Sequence, residues 1–230
     1  LLIYEESGVL KMRVAQVSGT SLTLGTAVTI SSGTPYYTTA CYVSSRGADG
    51  IVICFYDGGS TTTKIFNTSI TAGTNTVTKG TELNPTGITT GKGLLTPSSS
   101  SDSFIWTYDD NNNSSYGTCF AFMINSPTTV IEGSKTVFNS ADTGYVASSY
   151  DTNAAKTMII HRTYDGVGNA QFKAIVGTEA SFVVSFGSAT NLTTSASATG
   201  SSYVGTVYDS TAQKHFMFYL EQFVYKGLVG

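Results

Sequence analysis

Five short runs of apolar residues recur along the chain, and each carries a tyrosine near its end. The runs occupy residues 1–5, 51–56, 104–108, 157–164 and 215–220, and the tyrosines are Tyr4, Tyr56, Tyr108, Tyr164 and Tyr219. An almost continuously apolar run of this length is typical of a strand that is covered on both faces. We therefore predict five equivalent strands, each the first strand of a repeat.

A second pattern shares this period of about 54 residues. A glycine followed by threonine or serine recurs at Gly25, Gly80, Gly133 and Gly187. A glycine inside a strand usually marks a bulge or a close approach of another backbone. We predict that these four glycines occupy one equivalent position on the third strand of each repeat.

Each period contains four strand-like segments and no helical periodicity. A turn rich in Asp, Asn and Gly follows the first strand, where Asp57, Asp109 and Asp165 come directly after the tyrosine. An alternating second strand, the glycine-containing third strand and a fourth segment complete the period. Four strands per unit predict an all-β fold, a β-propeller or propeller-like array of four-stranded blades. A large β-sandwich with two similar hairpins is the alternative.

The repeats divide one domain of residues 1–230 into approximate units. These units are 1–50, 51–103, 104–156, 157–214 and a partial unit at 215–230. The chain starts in a first strand, ends in a second strand, and begins with LLIYEESG. We expect it to be a segment of a longer protein.

The composition narrows the classes of partner. Apolar residues make up 40 % of the chain and charged residues 12 %, with a net charge of -3, whereas roughly 25 % charged residues is usual. So few basic residues argue against nucleic acid, and the apolar runs are shorter than the ~20 residues of a membrane-spanning helix. Cys41, Cys54 and Cys119 are an odd number on distant segments, and we expect buried thiols.

Two sequence segments show the repeat most clearly: SYDTNAAKTMIIHRTYD at 149–165 and VYDSTAQKHFMFYLEQ at 207–222. Together with VSGTSLTLGTAV and FVVSFGSATNL, they resemble the tandem repeats of predicted structural or tail-fibre proteins of marine tailed phages and related viruses. The resemblance is clearest at 144–222 and 14–30, whereas the second copy has TPSSSSDSFIWTYDD in place of the turn motif. It implies a repeat architecture and a virion-surface or extracellular location, and it carries no catalytic residue.

The sequence contains no recognisable set of catalytic residues. The two histidines, His161 and His215, lie within apolar first strands, where a nucleophile–base pair is not expected. Asp57, Asp109 and Asp165 recur once per repeat, as a hairpin turn requires, rather than converging as a glycosidase pair. We therefore expect neither an enzyme nor a cofactor.

Two short segments are candidates for binding. Asp109, Asn111 and Asn113 alternate as calcium ligands do, but Ser114 stands where such loops favour glycine, so a solvated turn is the preferred interpretation. Tyr36 and Tyr37 follow Pro35 in a segment that reads as a polar turn, and they are the candidates for an exposed ligand-binding patch. Trp106 lies among apolar neighbours and is expected in the core.

These patterns favour a non-enzymatic module of a virion surface or fibre that binds a host-surface glycan or protein. One alternative is a structural subunit of an extracellular filament or sheath, with other virion or filament subunits as partners. The other is a carbohydrate-active enzyme on a propeller scaffold. A homo-oligomer is compatible with the first two functions.

Overall fold

The computed structural model describes residues 1–31, 33–71, 73–88, 92–98, 102–164, 170–193, 203–221 and 224–230. The protein is all-β, with 69 % of its residues in strands and 4 % in helix. Its strands form several antiparallel sheets, and no closed barrel or propeller is found among the described residues. Within the same residues, no helix is long and apolar enough to cross a membrane.

The strands are short except for one. They are β1 (Leu2–Glu6), β2 (Val9–Arg13), β3 (Ala15–Ser18), β4 (Ser21–Leu24), β5 (Val28–Thr29), β6 (Pro35–Tyr42), β7 (Ile51–Asp57), β8 (Thr62–Thr71), β9 (Thr76–Lys79), β10 (Gly93–Pro97), β11 (Ser103–Asp110), β12 (Tyr116–Ser126), β13 (Thr129–Asp151), β14 (Lys156–Tyr164), β15 (Ala170–Ala180), β16 (Val183–Phe186), β17 (Thr190–Asn191), β18 (Val204–Asp209), β19 (Lys214–Glu221) and β20 (Val224–Val229). Two 3-10 helices, Ser44–Asp49 and Asn111–Asn113, lie between strands.

Contacts divide the chain into two compact units. The first consists of Leu1–Thr90 and Ile124–Ile131, and the second of Gly91–Met123 and Glu132–Gly230. The core of the first unit includes Met12, Phe55 and Phe66. The second unit contains a cluster around Ile105, Cys119 and Val184, with smaller clusters around Phe172 and Met217.

The sheets follow the predicted order of segments within a repeat. β6–β7–β8–β9 is an antiparallel meander in which the fourth strand of one repeat pairs with the first strand of the next repeat, which is followed in order by the second and third strands. The same order recurs in β10 to β13, again in β13 to β16, and in part in β18–β19–β20. The four-stranded repeat that the sequence predicts is therefore present as a repeated meander.

The two most similar sequence segments form equivalent hairpins. Asp151 pairs with Lys156, and Asp209 pairs with Lys214, so that four residues form each turn. In each hairpin the aspartate Oδ1 accepts hydrogen bonds from the backbone N–H groups two and three residues later, at 2.8–3.0 Å. The residue before each lysine, Ala155 or Gln213, has positive φ. Repeated sequence thus reflects a repeated turn that satisfies its own backbone donors.

The prediction of doubly covered first strands holds for the three central copies. β7, β11 and β14 are buried along almost their whole length on both faces. It is wrong for β1, which has no buried residue, and for β19, where buried and exposed residues alternate. An apolar sequence run does not distinguish these cases, because burial also depends on the sheets that pack on either side.

The third and fourth segments of repeat 3 are not separate strands. β13 runs without interruption for 23 residues, from the strand that carries Gly133 to the hairpin aspartate Asp151. It therefore joins two meanders into one eight-stranded sheet. The sequence predicted a third strand and a separate fourth segment in this repeat, but the residues between them, 139–144, remain in the strand.

The four glycines of the Gly-Thr/Ser pattern occupy related positions. The left-handed backbone conformation that would indicate a bulge is absent at all four. None of the four has positive φ. Gly80 and Gly187 donate backbone hydrogen bonds of 2.9–3.0 Å to second-strand carbonyls, and Gly25 donates one of 2.9 Å to Val14, between β2 and β3. A Cβ on Gly133 would lie 3.0 Å from the second-strand carbonyl of Ala121. The equivalent placement is thus supported, while the positive φ is not.

Three of these glycines accommodate a close approach from the next repeat. A Cβ on Gly25 would overlap the carbonyl oxygen of Asn75, and a Cβ on Gly133 would lie 2.6 Å from that of Phe182. Beside Gly80, Thr81 donates its N–H to the carbonyl of Thr128 at 2.8 Å. Asn75, Thr128 and Phe182 each end the turn between a second and a third strand. The glycine is therefore required because a turn carbonyl of the following repeat occupies the space of a side chain.

The cysteines behave largely as expected. Cys54 and Cys119 are buried, Cys41 is half-buried, and all three are free thiols. Burial raises the pKa of each thiol well above its usual range. They are inert packing residues rather than nucleophiles.

Candidate ligand-binding site

Tyr36 and Tyr37 are exposed, but they lie in a strand rather than in the predicted turn. Both belong to β6, which pairs with β7. About half of each side chain is accessible to solvent, 49 % for Tyr36 and 51 % for Tyr37. The exposed aromatic pair is present, and it lies on the edge strand β6 of its sheet.

A bulge in β6 directs the two rings outward. Tyr36 pairs with Tyr56 and Thr39 with Cys54, so the register shifts between them. Tyr37, within this shift, has φ of 52°, a left-handed conformation that bulky residues rarely adopt. Bulges of this kind re-aim side chains and are frequent beside binding sites.

The rings form a small aromatic cluster. The ring centroid of Tyr36 lies 6.4 Å from that of Tyr37 and 6.3 Å from that of Tyr56. Tyr56 is the repeat tyrosine of β7, so a scaffold residue supports the exposed pair. Such tilted contacts limit ring motion, while about half of each exposed side chain stays accessible to solvent.

A cleft of about 310 Å³ is lined by residues of β1 and by other residues of β6, and Tyr36 and Tyr37 do not line it. Pro35, Thr38 and Thr39 of β6 line one wall, and Tyr4 and Glu5 of β1 line another. Arg13 stacks over the Tyr4 ring at 5.0 Å, and its Nε donates to the Tyr4 hydroxyl at 3.0 Å. The cleft therefore combines threonine hydroxyls, a carboxylate and an aromatic wall, a mixture that suits a small polar ligand.

A related aromatic cluster in the second compact unit was missed by the sequence reasoning. Tyr145 has φ of 49° and lies in the register shift between Gly144 and Val146 of β13. Tyr37 and Tyr145 each stand 19 residues before a repeat tyrosine, Tyr56 and Tyr164 respectively. The sequence does contain a signal for this cluster. Two tyrosines five residues apart recur at Tyr37/Tyr42, Tyr145/Tyr150 and Tyr203/Tyr208.

The histidines occupy buried strand positions. His161 is fully buried in β14, and burial lowers its pKa to about 4. His215 Nδ1 lies 2.8 Å from Ser149 Oγ, which also contacts Thr206 Oγ1 at 2.9 Å. The contact between Ser149 and His215 was not predicted. It links β13, β18 and β19 as a buried polar network.

The candidate calcium-binding segment, residues 109–113, forms a turn with local hydrogen bonds. Asp109 is in β11, and Asn111 and Asn113 lie in the 3-10 helix that follows. Ser115 Oγ donates to Asn111 Oδ1 at 3.3 Å, and Asp110 Oδ1 accepts from the Asn112 N–H at 3.2 Å. Burial raises the pKa of Asp109 to about 6. Among the described residues, no group of three or more His, Cys, Asp or Glu side chains is arranged to hold a metal ion.

The remaining predicted residues lie in the scaffold. Trp106 is completely buried and stacks on Tyr108 with ring centroids 4.3 Å apart. Tyr219 is buried against Phe172. Asp57 caps the turn after β7 by accepting from the Gly59 N–H, whereas Asp165 lies outside the described residues. Tryptophan burial is thus confirmed. Of the two recurring aspartates that are described, Asp57 serves a turn, whereas in the next copy Asp110 rather than Asp109 accepts the turn N–H.

No protein-family model matches this chain. No curated protein matches it either. The resemblance to viral fibre repeats therefore stays a prediction.

Proposed function

We propose that the chain is a non-enzymatic repeat module of a virion surface or fibre that binds a host-surface glycan. The observation that carries this proposal is the exposed Tyr36–Tyr37 pair, held at a bulge in β6, whose flanking residues Pro35, Thr38 and Thr39 line a cleft. Tyrosine offers a flat apolar face for the C–H side of a sugar ring and a hydroxyl for its polar edge. It also loses little conformational entropy on binding.

The cleft has the size and composition of a small-ligand site. Its volume of about 310 Å³ falls at the lower end of the usual ~300–1,000 Å³ for ligand pockets. Thr38, Thr39 and Glu5 supply hydroxyl and carboxylate groups for sugar hydroxyls. Binding residues commonly lie on irregular segments that a rigid scaffold holds in place. The bulged strand β6 of this repeat scaffold is a segment of that kind.

The repeated meanders support a finer architecture as part of this proposal. We infer that they are blades of a propeller-like array, because three of them contain four strands in the order that a blade requires, with β13 shared by two of the three. An experimental structure would test this directly. In such an array, the strands around Tyr56, Tyr108 and Tyr164 superpose after rotation about one common axis.

A double variant tests the proposed site. We expect Tyr36→Ala/Tyr37→Ala to reduce binding to a printed array of neutral oligosaccharides by about tenfold or more, since two stacking contacts are lost. Tyr42→Ala is the matched control, because Tyr42 is 54 % exposed at the other end of the same strand. Unchanged binding by the double variant, with an intact fold by circular dichroism, would refute the proposal.

One observation favours a second candidate, the structural subunit of an extracellular filament. All six residues of the edge strand β20 are exposed, including Val224, Tyr225 and Val229. An uncovered apolar edge strand is a template for pairing with another chain. Defined polymers in electron micrographs of the purified chain would support this function, and a monodisperse monomer at high concentration would exclude it.

A further inference from the structure

The contact that joins neighbouring repeats is made three times within the chain. In each case a turn between a second and a third strand places a carbonyl oxygen against the Gly-Thr/Ser position of the preceding repeat. The pairs are Asn75 at Gly25, Thr128 beside Gly80, and Phe182 at Gly133. In the second and third pairs, the residue after the glycine donates its N–H to that oxygen at 2.8 and 2.9 Å. Each repeat therefore offers a turn on one side and a Gly-Thr/Ser position on the other.

The fourth Gly-Thr/Ser position lacks this contact among the described residues. A Cβ placed on Gly187 would have the Val176 carbonyl oxygen, 3.9 Å away, as its nearest described neighbour, and Gly187 and Ser188 are both exposed. Val176, whose carbonyl receives the Gly187 N–H, is 41 % exposed, whereas its counterpart Asn67 in the second repeat is fully buried. We call Val176, Gly187 and Ser188 the open acceptor, because no turn covers them.

The first repeat carries a turn of the matching kind. Thr20 ends the two-residue turn between β3 and β4, as Phe182 ends the two-residue turn between β15 and β16. β3 and β4 form a two-stranded sheet of their own, and all four residues of β4 are exposed. Within the described part of the chain, the Thr20 carbonyl accepts no hydrogen bond. The β3–β4 hairpin is therefore a turn of this repeat that has no glycine to rest on.

The apolar residue three positions before the glycine shows the same difference between repeats. Val77, Val130 and Val184 stand at this position in the second, third and fourth repeats, and all three are buried. Val77 and Val184 belong to apolar clusters that include residues of the preceding repeat. The first repeat has Leu22 at this position, and it is 60 % exposed. Leu22 thus lacks the neighbouring repeat against which its counterparts pack, and covering it would be favourable.

We propose that a second copy of this chain docks its β3–β4 hairpin on the open acceptor, so that chains associate head to tail. The Ser188 N–H donates to the Thr20 carbonyl of the second copy, and Leu22 of that copy is removed from water. The acceptor requires a second-to-third-strand turn of this repeat, and among the described residues the turn at Thr20 is the one without such a contact. Because the two surfaces differ, the interface is heterologous and each pair of chains keeps a free end of each kind. This inference does not depend on glycan binding.

The acceptor side is tested with Gly187→Ala in the full 230-residue chain. We expect the wild type to form oligomers as its concentration rises in sedimentation velocity. The variant should associate about tenfold more weakly or worse, because the new methyl group occupies the place of the incoming oxygen. A Cβ on Gly133 would lie only 2.6 Å from the corresponding oxygen of Phe182. At a concentration where the chain is monomeric, the thermal unfolding midpoint should be unchanged or higher, since no described atom crowds the methyl group.

The hairpin side is tested with Leu22→Glu, which places a charge where an apolar contact is expected and alters only an exposed position. Neither this variant nor Gly187→Ala should associate alone, because each has one blocked end. An equimolar mixture should form a 1:1 dimer and no larger species, since the intact hairpin of Gly187→Ala meets the intact acceptor of Leu22→Glu. A dimer that forms only in the mixture identifies a head-to-tail contact through these two surfaces.

Tyr225→Lys is the control for the other exposed strand. Tyr225 lies on the edge strand β20, outside this contact, so the variant should associate as the wild type does. Association lost in Tyr225→Lys but kept in Gly187→Ala would assign the interface to β20 and overturn the proposal. A wild-type chain that stays monomeric up to about 1 mM would overturn it as well. Tyr36 and Tyr37 take no part in these measurements, so this proposal and the glycan-binding function can fail separately.

Discussion

At the scale of single residues, backbone strain occurs at two exposed tyrosines. Tyr37 and Tyr145 have φ near 50°, where a side chain other than Gly, Asn or Asp costs roughly 1–2 kcal/mol. Glycine or asparagine would satisfy these two bulges at lower cost, as several turns of this chain illustrate with Gly8, Gly19 and Asn75. Strain of this kind is not confined to the exposed tyrosines, because Thr61, Phe182 and Gln213 also have positive φ.

A second residue-scale feature is the buried His161. Both of its ring nitrogens are buried, and neither has a hydrogen-bond partner among the described residues. The nearest aromatic ring is that of Phe138, 5.1 Å away between centroids. Burial is the main cause of its low pKa, and Lys173 on the paired strand lowers the pKa further.

We predict that His161 makes the fold sensitive to acid. The folded-state pKa of about 4 lies below the usual 6.5, so the unfolded chain binds more protons between these values. Stability is therefore complete above pH 6.5 and is lost as the pH falls toward 4, by on the order of 3 kcal/mol. His161→Phe should flatten this part of the profile, measured by urea unfolding at pH 4.5 and 7.

Asp109 provides a control of opposite sign. Its raised pKa of about 6 gives stability that is complete below pH 3.8 and is lost as the pH rises through 6. Asp109→Asn should therefore gain stability relative to the wild type on going from pH 4 to 7. An unchanged profile in His161→Phe would show that His161 is solvated in the folded state.

At the scale of strands and turns, the repeats are joined by a recurring backbone contact. The carbonyl that ends a second-to-third-strand turn approaches the Gly-Thr/Ser position of the preceding repeat at Gly25, Gly80 and Gly133. At Gly133, this contact includes a hydrogen bond of 2.9 Å from the Ser134 N–H to the Phe182 carbonyl. Gly187 differs from the other three. The atom nearest to a Cβ placed on Gly187 would be the carbonyl oxygen of Val176, 3.9 Å away.

This difference predicts opposite effects of the same substitution. Gly133→Ala should destabilise the protein by about 2 kcal/mol or more, because the new methyl group displaces the Phe182 turn. Gly187→Ala should be neutral or stabilising by up to ~1 kcal/mol, since it meets no close atom and restricts the unfolded chain. Thermal unfolding of the two variants measures the contrast, and equal losses in both would contradict the contact model.

The sequence predicts elements better than it predicts their environment. The period of the glycine and tyrosine markers located almost every strand, because strand and turn preferences are local. It could not reveal that Gly133 faces a turn 49 residues later, since the close approach depends on packing between repeats. For the same reason it placed Tyr36 and Tyr37 correctly on the surface and wrongly in a turn.

The Tyr145 cluster illustrates the other limit of the sequence. Tyr145 lies within a 23-residue strand, where alternation alone predicts no bulge. Its ring meets Tyr203, on a segment 58 residues later in the chain. Spacing between tyrosines hints at this pair, but only the fold brings it together with Arg162.

At the scale of the whole molecule, the repeats are distributed over two compact units with separate apolar clusters. Phe66 belongs to the cluster of the first unit and Phe172 to a cluster of the second. Both side chains are fully buried. Stability in repeat proteins is approximately a sum of repeat terms and contacts between neighbours, so a core defect should remain local.

We predict that Phe66→Ala loosens the first compact unit selectively. Loss of a buried phenylalanine costs roughly 3–5 kcal/mol, so hydrogen exchange followed by mass spectrometry should accelerate in residues 1–88 and at the β12–β13 tip, residues 124–131. Strands β14 and β15 should keep their protection. Phe172→Ala is the matched control and should produce the reverse pattern. Faster exchange throughout the chain in either variant would instead identify one cooperative folding unit, in which a defect in any repeat is felt in all.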